Sequence, residues 1–150
     1  MAALGVDELG QQREEEQGHL RVEHVRDDRV LEYALAELIE EGEIQRHIRR
    51  VRREYAARRD VLVDALRRTL GDAFSFSVPA GGIGLWVRAA EGLDIEAWAR
   101  RARARGAVMA TAAGFALDGK ARPFARLGFA SLDRDELVEG VRRIAAARHR

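Results

Sequence analysis

One arginine, Arg126, stands in the middle of a short apolar run, "FARLGFA", from Phe124 to Ala130. An unpaired charge buried in a strand costs several kcal/mol, so either Arg126 faces water or an anion comes to meet it. Strand alternation puts Phe124, Arg126, Gly128 and Ala130 on one face and Ala125, Leu127 and Phe129 on the other, the core face. Gly128 would leave room beside the guanidinium. A planar fork with space next to it suits bidentate recognition of a carboxylate; a plain solvent-facing arginine satisfies the same pattern.

The other reactive residue types are poorly set for chemistry. Lys120 is the only lysine in the chain. A Schiff-base lysine needs burial or a neighbouring cation to lower its pKa, and a loop position between Gly119 and Ala121 offers neither. His19 and His24 lie five apart, off a common helical face, and His47 and His149 are isolated, so no metal site is expected. With no cysteine, disulfides and thiolate zinc sites are excluded. "PAGGIG", Pro79 to Gly84, lacks the lysine and hydroxyl of a phosphate loop, and no helix follows to present its N-terminus. Gly81 and Gly82 therefore read as a turn where backbone comes close to something.

Arginines crowd the stretch from Arg46 to Arg68. They could touch phosphates, or pair with Glu43, Glu54, Asp60 and Asp64 on a solvated helix. No helix-turn-helix signature accompanies them. The 26 basic residues nearly balance the 25 acidic ones for a net charge of +1, which argues against binding a polyanion through overall charge. Nucleic acid is not the expected partner.

These residues must be held by elements legible in the periodicity. Residues 1–29 are polar and charge-dense, a segment expected to be disordered or weakly helical. From Val30, Leu31, Leu35, Leu38 and Ile39 form one helical face that stops at Gly42. A long amphipathic helix follows on Ile44, Ile48, Val51, Tyr55, Leu62 and Leu66, closed by Gly71. The period then turns to two: "FSFSV" and "IGLWV" are strands on either side of the glycine turn. "LDIEAWARRARARG" is a helix capped by Asp94 and stopped by Gly106. "AVMA" and "FARLGFA" are strands around a loop, and Asp133 with Glu136 opens a last helix. The order is α-α-β-β-α-β-β-α, an α+β two-layer domain over residues 30–150 with helices on one face of a mixed or largely antiparallel sheet. The other face must meet solvent, a partner or another domain.

An apolar content of 47% in 150 residues suffices for one core. No apolar run approaches the roughly 18 residues of a membrane span, and the N-terminus lacks a signal-peptide layout. A cytoplasmic location, with no membrane partner, is the expectation.

Three phrases, "ALAELIEEGEIQRHIRRVRREYAARRDVLVDALRRTLG", "VPAGGIGLWV" and "RLGFASLDRDELVEGVRRIAAA", together resemble the C-terminal small domain of class I/II aminotransferase-fold (fold type I) proteins. The likeness is nearest to the MocR-type branch of the GntR transcriptional regulators. It covers about Val30 to Ala147, with the elements in order. The resemblance implies that Arg126 binds the carboxylate of an amino-acid substrate or effector and that Gly81 and Gly82 lie near the substrate entrance. It implies pyridoxal 5'-phosphate as the family cofactor, held by a lysine of a large domain that has no counterpart here; Lys120 does not match that lysine. The expectation is thus a truncated or detached domain without catalytic residues, binding no cofactor covalently and inactive alone. Its partner would be a large-domain chain, or another copy through self-association. The alternative is a non-enzymatic module whose basic helix meets an acidic partner or nucleic acid.

Overall fold

The computed structural model describes residues 28–148. Nearly all of the polar segment 1–29, with His19, His24 and His149, lies outside the described residues. The chain divides into two units, residues 1–48 and 49–150.

The described part of the first unit begins with helix α1, residues 28–40. Gly42 then turns the chain at φ +73°, a left-handed conformation that a glycine adopts without steric cost. The amphipathic stripe of α1 is uncovered: Leu31 is 59% exposed, and Leu35, Leu38 and Ile39 are exposed as well. The sequence pattern does make a helix, but no described core lies against its apolar face. Helix α2, Glu43–Leu70, starts at this turn and continues into the second unit, where Leu62, Leu66 and Leu70 are buried. Just past α2 only a glycine fits at Gly71, because a side chain there would come within 2.7 Å of the Arg67 carbonyl.

The second unit carries strands β1 (Phe74–Ser75), β2 (Gly84–Ala89), β3 (Ala110–Thr111) and β4 (Phe124–Gly128), and helices α3 (Ile95–Ala104) and α4 (Arg134–Ala146). The sheet order is β1-β2-β4-β3, antiparallel throughout. Leu85, Val87, Ala125 and Leu127 point from the two central strands into the core with Leu62 and Leu66 of α2, Ile95 and Trp98 of α3, and Leu137, Val141 and Ile144 of α4. Trp98 is the anchor. It stacks on Phe74 with centroids 4.7 Å apart, and its indole N–H donates to the Ile144 carbonyl at 2.8 Å, which satisfies the one polar atom that burial would otherwise strand.

Two strands are shorter or displaced relative to the periodicity. β1 stops at Ser75, because the chain leaves the sheet edge toward Pro79, which has no N–H to give a ladder. Phe76 still packs on the core from irregular chain. β3 starts at Ala110 rather than Ala107, because residues 105–107 are used to close α3. Gly106 adopts φ +78°, its N–H bonds the Arg103 carbonyl, and the Ala107 N–H bonds the Ala102 carbonyl at 3.0 Å. That pair of bonds satisfies helix-end carbonyls and takes Ala107 out of the strand.

Candidate functional site

The sheet has two unlike faces. On the side away from the core, β2 presents Gly84, Trp86 and Arg88, and β4 presents Phe124, Arg126 and Gly128. The register pairs Gly84 with Gly128, Trp86 with Arg126, and Arg88 with Phe124. Alternation alone produces this split, since each apolar inward residue is flanked by outward ones. Ala125, Leu127 and Phe129 are all buried, so the single arginine of the run stands off the core.

Arg126 is half-buried. β2 flanks it on one side and β3 on the other, through Ala110. Its stem does not rest over Gly128, where the space is open. It leans across to Gly84 instead: a Cβ built there would lie 2.8 Å from Arg126 Nε and 3.3 Å from its Cγ. The room anticipated from Gly128 is therefore supplied by the cross-strand glycine, which sequence spacing within one strand could not reveal. Directly across from Arg126 on the neighbouring strand β2, Trp86 meets Phe115 edge to face, centroids 5.2 Å apart. Arg88 lies 5.9 Å from the Phe124 ring centre, a cation–π distance. No hydrogen bond or ion pair engages the Arg126 side chain among the described residues, so its guanidinium is available to an anion.

Gly81 and Gly82 precede β2, and the lean of Arg126 carries its guanidinium toward that end of the strand. The turn itself opens on a different hollow, a cavity of about 110 Å³ lined by Arg52, Tyr55, Ala56, Arg59 and Phe129 as well as the glycines. Arg126 is not among its lining residues. Gly82 adopts φ +100°, and neither glycine has an atom within 4 Å of a would-be Cβ. Arg59 fixes the turn by donating to the Pro79 carbonyl at 2.9 Å. Arg58 likewise donates to the Ala130 carbonyl just past β4. Two residues of the "ARRD" phrase thus tie α2 to both chain segments beside the sheet, a structural use of arginine that composition hid.

Ion pairs engage part of the basic residues of α2. Arg46 pairs with Glu43 at 2.6 Å, Arg58 with Glu54 at 3.1 Å and Arg59 with Asp60 at 2.7 Å. Of the expected acidic partners, Asp64 forms no ion pair among the described residues. Hydrogen bonding from Arg46 holds the Glu43 carboxyl below its usual range. A groove of about 630 Å³ is lined by Arg50, Arg53, Arg58 and Arg134 together with Glu54 and Tyr55.

Lys120 is exposed in the loop between β3 and β4. The loop is tied by Arg122, which donates to both oxygens of Asp118 at 3.1 and 3.0 Å and lowers the Asp118 carboxyl pKa. His47 makes an interaction of its own, and no cluster of metal-ligating side chains exists among the described residues. No helix of the described residues is long and apolar enough to cross a membrane.

No protein-family model matches the chain. Individual proteins do. A 2-aminoadipate transaminase of Thermus thermophilus is 33% identical over 111 residues, 74% of this chain and 28% of the enzyme. The probable rhizopine catabolism regulatory protein MocR of Rhizobium meliloti is 31% identical over 118 residues, 79% of this chain and 24% of that protein. Among solved structures, an alpha-aminoadipate aminotransferase from Thermus thermophilus, complexed with N-(5'-phosphopyridoxyl)-L-leucine, superposes with a TM-score of 0.66 at 33% identity, over 74% of this chain and 28% of that one. A multiple substrate aminotransferase from Thermococcus profundus gives 0.68 at 28% identity, over 75% and 28%. The chain thus spans about a quarter of the length of the relatives it matches. Enzymes and regulators match it at similar identity.

The described residues do not fit pyridoxal phosphate. Lys120 lacks the burial that would make its amine nucleophilic. The N-termini of α3 and α4, which could otherwise receive a phosphate, are filled by carboxylates: Asp94 accepts from Ala97 N at 3.0 Å, and Asp133 from Glu136 N at 2.8 Å. Each is an anion already on the dipole, and a phosphate would be repelled.

Proposed function

We propose, for a chain that belongs to the class I/II aminotransferase family and corresponds to a C-terminal part of its members, that it is the carboxylate-recognising small domain of such a protein. Arg126 is the residue that receives the carboxylate of an amino-acid substrate or effector. One observation carries this reading: a half-buried guanidinium laid over a bare glycine on the open sheet face, with no anionic partner among the described residues. A charge-assisted, two-pronged contact to a carboxylate is what such a fork does well. Gly81 and Gly82 form the substrate-entrance turn, and the two-layer small-domain arrangement of fold type I is the architecture they serve.

Because the described groups do not fit the cofactor, the chain supplies recognition and not the electron sink. Transamination would need a large-domain partner, and by itself the chain is inactive. A cytoplasmic location goes with this role. Protein mixed with pyridoxal phosphate and dialysed should retain none; retention of one cofactor per chain would overturn this part.

The carboxylate reading is tested by titrating the chain with pyruvate and L-alanine. The Trp86 indole N–H, whose residue is the cross-strand partner of Arg126, should shift in NMR spectra. Trp98, buried and bonded to Ile144, should not. One guanidinium–carboxylate contact in water implies a Kd of about 1 mM or weaker. Arg126→Ala should abolish the shift, and an unchanged titration in that variant would sink the assignment.

A second reading has the arginine groove on its side. Arg53, Arg58 and Arg134 stand in its lining with Glu54 as the one acidic residue there, which suits an acidic partner or a nucleic-acid backbone. DNA retention falling steeply with salt would favour it.

A further inference from the structure

The geometry assigns to Gly84 a positioning role that no sequence motif marks: its lack of a side chain is what lets Arg126 cross β2 and carry its guanidinium toward the "PAGG" end of the sheet. This rests on Arg126 as the carboxylate-binding group, and it identifies the residue that aims it.

Arg126 has few places to go. Its own register partner is Trp86, and that position is filled by the indole and the Phe115 ring set against it. One row further on, Phe124 and Arg88 are matched to each other. On the β2 side only the Gly84–Gly128 row is bare. Within that row the guanidinium stem has taken the Gly84 side, where any Cβ would stand 2.8 Å from Nε, 3.3 Å from Cγ and 3.2 Å from the Leu127 carbonyl. Contacts under about 3 Å do not coexist with a carbon atom at that position. A methyl group at residue 84 would thus expel the guanidinium from its present path. Gly128, on the same face and in the same row, has no atom within 4 Å of a would-be Cβ, so a methyl group there displaces nothing. The two glycines look equivalent in sequence and differ only in what leans on them.

Gly84 is a positioning residue, and its effect must pass through Arg126. Two measurements separate this from a general effect on folding. In the pyruvate titration, Gly84→Ala should weaken binding at least about tenfold, the loss of one aimed charge-assisted contact. The Trp98 indole signal should stay at its wild-type position. Gly128→Ala should bind within about twofold of wild type, as expected for a surface change that meets nothing. Binding in Gly84→Ala equal to wild type, or equal losses in the two glycine variants, would overturn the proposal.

The second measurement is a thermal-stability cycle, which needs no ligand. Gly84→Ala should lower Tm by about 2–4 °C when Arg126 is present. In the Arg126→Ala background the same change should be neutral, apart from a small common cost from the Leu127 carbonyl. An additive cycle would mean that residue 84 and Arg126 do not press on each other, and would refute the inference. Should no variant bind pyruvate, the carboxylate reading of Arg126 falls, and the cycle alone decides whether Gly84 aims the side chain.

Discussion

Arg126 and Glu139 show how differently two charged residues can be held. The first waits for a partner; the second has two. Glu139 accepts from Arg142 at 2.6 and 2.7 Å and from Arg143 at 2.7 Å. Those hydrogen bonds, Arg142 first, bring its carboxyl down to about 2 from a usual 4.5. The folded pKa lies below the unfolded one, so the carboxylate adds stability at pH values above about 4.5. That contribution is lost as pH falls toward 2. Glu139→Gln should flatten the acid limb of a Tm-against-pH curve in that window; an identical limb in the variant would refute the assignment. The Glu139 side chain is 38% accessible in its ion pairs, so added salt should shrink the difference. For Arg126, charge without shape should not suffice: Arg126→Lys keeps the cation but loses the fork, and carboxylate affinity should drop about tenfold, read by the same titration. At this scale alternation placed Arg126 off the core face, and the family resemblance supplied its expected carboxylate partner. Neither could lead to Gly84, because the contact that matters there joins strands 40 residues apart in the chain.

The elements are held by their ends as much as by their faces. In α4, Asp133 accepts from Glu136 N and Glu136 returns a bond to Asp133 N, both at 2.8 Å. Asp133→Ala should cost about 1 kcal/mol, measured as a lower urea midpoint with an unchanged slope; no change in midpoint would show the cap to be idle. Helix α3 is joined to the end of α4 by Trp98 and by Arg101, which donates to the Ala147 carbonyl at 2.8 Å and the Arg148 carbonyl at 3.1 Å. Trp98→Phe removes the N–H to Ile144 and leaves space in the core, and should destabilise by about 2 kcal/mol in the same denaturation. The helices and their caps were legible because a capping residue and a periodic apolar stripe are local signals. Strand ends were not: β1 loses its last residues to a proline detour, and β3 yields Ala107 to a helix cap. Each is decided by backbone bonds that residue type only hints at.

At the scale of the whole molecule, the question is what lies on the uncovered faces. Trp86 is 45% exposed, and Phe115 and Phe124 are exposed beside it; separately, α1 presents a full stripe of leucines to solvent. Contiguous aromatic surface of this kind is uncommon on a monomer. The chain should therefore self-associate in a concentration-dependent way unless a large domain covers the sheet. A sharp monomer mass at all concentrations in light scattering would contradict this. Covering by a further domain is consistent with a chain that spans about 28% of its matched enzyme, and composition could not have predicted the exposed sheet face, because apolar content does not say which residues are inside. The loop between β3 and β4 has a last consequence. It holds the sole lysine, Lys120, which is exposed. A lysine-specific protease therefore has one site to cut, and the cut severs β4, a central strand of the sheet, and α4 from all that precedes them. Nicked protein that stays together through size exclusion, and separates only in denaturant, would turn the domain into a two-piece system whose halves can be exchanged at will.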